Sequence, residues 1–95
     1  MRMSEQEILL YRSTGIPDDV QAYMTAIAAL AKRLDLETDE TRKAQVREQF
    51  LQLLKDAKDR TDHYYMKRIR DFGIHNMRLK KLSESFSELI SQFQL

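Results

Sequence analysis

The stretch from Thr38 to Phe72 most constrains what this chain can become, because it reads as one long amphipathic helix. Val46, Phe50, Leu53 and Ala57 recur at steps of four, three and four, which sets them on a single face at helical period. Arg42, Lys43, Gln45, Arg47, Glu48, Gln49, Gln52, Lys55 and Asp56 fill the opposite, solvated face. Such a helix runs about 50 Å, and a lone helix is marginal in water unless its apolar stripe is covered. The remaining segments read as that cover.

Ser4 followed by Glu7 is a capping-box pattern ahead of Ile8, Leu9, Leu10 and Tyr11. It predicts a short helix over 5–12, closed by Ser13, Thr14 and Gly15. Pro17 suits the first position of a second helix, where its missing N–H has no intrahelical partner to lose. Asp18 and Asp19 then fall in the first turn, where the helix dipole favours negative charge. Val20, Tyr23, Met24, Ile27, Leu30, Ala31 and Leu34 follow at steps of three and four, predicting a helix over 17–34. Residues 35–38 break the period, and Thr38 or Asp39 can cap the long helix, over 39–71. So short a link forces an antiparallel hairpin.

Past Ala57 the stripe meets six polar residues, Lys58, Asp59, Arg60, Thr61, Asp62 and His63. It resumes with Tyr64, Tyr65, Ile69 and Phe72 on a face displaced by about one residue, a stutter that adjusts a helix without ending it. Gly73 offers a helix end, with Asn76 as the cap of a last helix over 76–93. Alternatively, positions 65, 69, 72, 76, 79, 82, 86, 89 and 93 continue the period across Gly73. A glycine inside a helix costs only about 1 kcal/mol, so an extended, coiled-coil-like helix is the competing expectation. The break is preferred because a compact chain needs its last helix to return. Leu79, Leu82, Phe86, Leu89, Ile90 and Phe93 give that helix a narrow coiled-coil stripe. The predicted fold is all-α in one domain over 1–95. A helical hairpin joins a short N-terminal helix and a C-terminal helix packed back, making a three- or four-helix bundle.

Composition bears on function mainly by exclusion. Apolar residues are 42% and charged residues 33%, a thin core for a small chain, which favours self-association or a partner. Two Gly and one Pro argue against a turn-rich β fold, and zero Cys removes disulfides and thiolate chemistry. No run approaches the roughly 18 apolar residues of a membrane span, and Glu5 and Glu7 interrupt any secretory signal, so a cytoplasmic protein is expected, with no membrane partner. There is no Gly-rich phosphate loop and no nucleophile elbow. Ser83, His75 and Asp71 can be grouped as a triad on paper, as chance allows in any helical chain. Asp59 and His63 are four apart on one helical face, but two His in the whole chain leave a metal short of ligands. No enzyme activity, cofactor or metal is expected.

The second helix covers only about half of the long one. The far half needs the last helix, a second copy or another protein. Tyr64, Tyr65, Met66, Ile69 and Phe72, with Leu79, Leu82, Phe86, Leu89 and Phe93, are the expected protein contacts, and a homodimer is the commonest way to cover such a surface. The expected function is a non-enzymatic protein–protein interaction module, an adaptor or regulator that self-associates. The alternative is a small nucleic-acid-binding regulator. Residues 58–81 hold eight Lys/Arg against three Asp/Glu in a chain of net charge +1. Within 63–81, Lys67, Arg68, Arg70, Arg78, Lys80 and Lys81 can neutralise phosphates, and interleaved Tyr64, Tyr65, His63 and His75 can stack on bases. Asp59, Asp62 and Asp71 dilute that field.

Overall fold

The computed structural model describes residues 15–94 and is helical throughout, with three helices and no strand among those residues. They are α1, Asp18–Leu36; α2, Glu40–Phe72; and α3, Met77–Phe93. The helix expected over 5–12, with its capping box, lies outside the described residues. The other predicted bounds hold within two residues.

Pro17 stands just before α1 with extended ψ of 151°, and its carbonyl accepts the Gln21 N–H at 3.0 Å. Asp18 and Asp19 occupy the first turn of α1, as the dipole favours. Asp39, rather than Thr38, caps α2, its Oδ1 accepting the Thr41 N–H at 2.9 Å. The short link between α1 and α2 folds them antiparallel. Tyr64 Oη donates to Asp19 Oδ2 at 2.9 Å, which sets the start of α1 beside the later half of α2.

Gly73 ends α2. It takes φ 65°, its N–H reaches the Ile69 carbonyl at 2.8 Å, and the Ile74 N–H reaches the Arg68 carbonyl at 3.3 Å. A left-handed residue turns the chain out of the helix while its carbonyls stay bonded, and glycine does so without a Cβ penalty. Asn76 Oδ1 then accepts the N–H groups of Arg78 and Leu79 at 3.0 and 3.1 Å, starting α3. The extended alternative across Gly73 is excluded. α3 returns along α2: Ser83 Oγ donates to Asp62 Oδ1, and the Phe93 and Phe50 rings meet edge to face with centroids 4.8 Å apart.

Both α1 and α3 pack on α2, and one core joins them. Its buried centre is Phe50, Leu54 and Ala57 of α2 with Phe86 of α3. Tyr23, Ile27, Leu30 and Ala31 close it from α1, and Leu82, Leu89, Ile90 and Phe93 from α3. The α2 stripe differs from expectation in two ways. Leu54 is fully buried and Leu53 only half-buried, because α2 is flanked by two helices and the axis of burial falls between them. The polar interruption is also not one. Thr61 is fully buried, and its hydroxyl donates to the Ala57 carbonyl at 2.7 Å. Thr61 satisfies itself on its own helix, so a polar residue continues the buried line and no stutter is needed.

Candidate interaction surface

The expected cover for the far half of α2 comes from the chain itself. Gly15 is tied there by its carbonyl, which accepts from Arg68 Nη1 at 2.8 Å and from Asn76 Nδ2 at 3.4 Å. α1 therefore starts almost at the end of α2, and α3 runs back from that same end. Tyr64, Tyr65 and Ile69 are consequently half-buried. Asp19 holds the corner: its Oδ2 accepts from Tyr64 and lies 3.4 Å from Arg60 Nε.

The expected contact stripe on the last helix faces inward. Leu79 and Phe86 are buried, and Leu82, Leu89 and Phe93 pack against the core cluster. A narrow heptad-like stripe has the same pattern whether the helix it meets belongs to its own chain or to another. Here its partner is α2. Leu79 and Phe86 are spent inside the molecule, whereas Leu82, Leu89 and Phe93 remain half-buried.

Apolar surface remains open at the α2–α3 end. Phe72 is 72% exposed, Ile74 55% and Met77 53%, three large apolar side chains within six residues. Met66, on the outward face of α2, is 60% exposed. Phe72 and Met66 were anticipated, whereas Ile74 and Met77 were not. Their signal was being out of phase: Ile74 sits in the turn between Gly73 and Asn76, and Met77 precedes the stripe that begins at Leu79. Leu36, the last residue of α1, is also 72% exposed, near the start of α2. It too falls outside its helix's period.

The basic segment divides. Lys67, Arg70, Arg78, Lys80 and Lys81 are exposed around the α2–α3 end. Arg70 Nε lies 3.4 Å from Asp71 Oδ1. Arg68 is half-buried and engaged with Gly15, so it serves the fold. Tyr65 Oη lies 3.4 Å from His75 Nδ1, and the two rings stand edge to face with centroids 6.3 Å apart. The His63 and Tyr64 rings likewise stand edge to face, with centroids 5.8 Å apart. Both tyrosines are half-buried.

No catalytic grouping assembles from the paper triad. Ser83 is bonded to Asp62, which also pairs with Lys58 Nζ at 2.6 Å, while Asp71 faces Arg70 and His75 faces Tyr65. Asp59 and His63 line a shallow groove with Tyr23, Asp56 and Arg60, and Arg60 pairs with Asp19. Among the described residues no three His, Cys, Asp or Glu side chains converge as a metal site. None of the described helices is long and apolar enough to cross a membrane. Comparison with protein-family models, with curated proteins and with solved structures finds no match to this chain.

Proposed function

We propose that this protein is a non-enzymatic protein–protein interaction module, adaptor or self-associating, whose contact surface is the α2–α3 end. One observation carries the reading: among the described residues, Phe72, Ile74 and Met77 stand open within six residues of one another, whereas the stripes of α1, α2 and α3 pack into a common core. Apolar side chains scattered singly over a surface are ordinary, whereas a group of them ringed by polar residues marks a contact site. Phe72, Ile74, Met77 and Met66 form the contact surface, and the stripe of α3 packs on α2.

The test replaces Phe72 and Ile74 together by Ser. Both side chains are exposed, so the melting temperature should stay within a few degrees of the parent while association on a sizing column with light scattering is lost. An intact fold with unchanged association would refute the assignment.

A second reading is kept for the five exposed cations Lys67, Arg70, Arg78, Lys80 and Lys81, which support a regulator that touches nucleic acid. It requires affinity for a short single strand that falls with salt at a log–log slope no steeper than about −3.5, the limit for five phosphate contacts. A slope near zero would remove it.

A further inference from the structure

We infer that residues 5–12 of the same chain dock on the α2–α3 end and cover Phe72, Ile74 and Met77, so that a second protein reaches this surface by displacing them. This rests on the reading of the α2–α3 end as a contact surface and names its resident occupant. What selects the segment is where it enters the fold. The Gly15 carbonyl accepts from Arg68 Nη1 at 2.8 Å and from Asn76 Nδ2 at 3.4 Å. Asn76 is next to Met77 and two residues from Ile74, and Arg68 lies about one helical turn before Phe72. Gln21 Nε2 donates to the Ile16 carbonyl at 3.0 Å and Pro17 is buried, so the entry point is held on its other side too. Residues 1–14 therefore lead into the fold beside the exposed patch, and at no other place.

Reach and chemistry agree with that entry point. Ile8, Leu9, Leu10 and Tyr11 precede Gly15 by seven to four residues, at most about 25 Å of extended chain. Four large apolar side chains in a row on a segment of eight residues cannot bury one another, and so short a helix needs a surface to lie on. Phe72, Ile74 and Met77 offer one, each large, apolar and more than half exposed. Charge does not make the choice. Residues 1–14 hold two carboxylates, Glu5 and Glu7, and two cations, Arg2 and Arg12, while the α2–α3 end has Asp71 beside Arg70. Proximity makes it. A segment joined by so short a link stands at an effective concentration of roughly millimolar, well above that of a second copy in a micromolar solution. A contact too small to hold two molecules together is therefore populated within one.

The experiment is amide exchange and methyl NMR on the full chain. Amides of residues 8–11 should exchange about tenfold or more slowly than in an unstructured chain, and equally so from tens of micromolar to about 1 mM. Phe72→Ser with Ile74→Ser should return them to unstructured rates while the helical signal of α1, α2 and α3 persists. In the other direction, Leu9→Ser with Leu10→Ser should shift the methyl resonances of Ile74 and Met77 and leave those of Leu54 in place. It should also strengthen association on a sizing column, because the surface is then bared. Unprotected amides at 8–11 overturn the inference, as does protection that survives Phe72→Ser with Ile74→Ser, which puts the segment elsewhere on the molecule. Protection that appears only as concentration rises overturns it as well, since the occupant is then a second copy. In each of these cases the α2–α3 end stands as a contact surface if Phe72→Ser with Ile74→Ser abolishes association, and falls if association is unchanged.

Discussion

Gly15 and Gly73 both hold left-handed backbone, with φ of 67° and 65°, yet their surroundings differ. A Cβ on Gly73 would meet nothing within 4 Å, so Gly73→Ala carries only the backbone penalty, about 1–2 kcal/mol. A Cβ on Gly15 would come within 2.6 Å of Asn76 Nδ2 and 3.4 Å of Arg68 Nη1. Asn76 has little room to give, because its Oδ1 caps α3. Gly15→Ala should therefore cost more than Gly73→Ala, by roughly 1 kcal/mol, as the tie between the start of α1 and the α2–α3 turn is lost. Urea titration of the two variants side by side checks the order. Equal costs would mean that the Gly15 clasp contributes nothing.

Helix ends decide how the elements join. Asn76 makes two bonds to the N–H groups of α3 with one side-chain oxygen, and among the described residues no other side chain caps the start of that helix. Asn76→Ala should destabilise the protein by about 1–2 kcal/mol, with α3 fraying first. Hydrogen exchange at Arg78 and Leu79 should rise more than exchange at the centre of α2, such as Leu54; uniform acceleration would contradict a local cap. The capping residues were legible in the sequence, because Asp39 and Asn76 are side chains that prefer such positions on their own account. Thr61 was not legible. A threonine can face solvent or turn its hydroxyl back on the helix, and only the neighbouring helices settled which.

The molecule as a whole depends on one shared core. Phe86 belongs to α3 but is buried together with Phe50, Leu54 and Ala57 of α2, against which Ile27 and Leu30 of α1 also pack. Phe86→Asp places a charge there without a partner and should abolish folding, costing about 4 kcal/mol or more. Circular dichroism and tyrosine fluorescence should report that loss together. A folded Phe86→Asp monomer would show the core to be less shared than it looks. Phe72 and Phe86 both read as contacts in the sequence, and burial separates them. One holds the fold, whereas the other faces solvent.

The sequence by itself located α1 and the start of α2 to within two residues, while at Gly73 it allowed both a break and a continuous helix. Period, capping side chains and the placement of Pro17 and Gly73 are local properties, fixed by backbone geometry within a few residues. It did not determine which apolar residues are left over. Leu79 and Phe86 on one hand, and Phe72, Ile74 and Met77 on the other, have similar side chains and differ only in what comes to lie beside them. Only the tertiary structure decided that, because burial depends on where α1 and α3 stop along α2, and the chemistry of a single side chain does not carry that information.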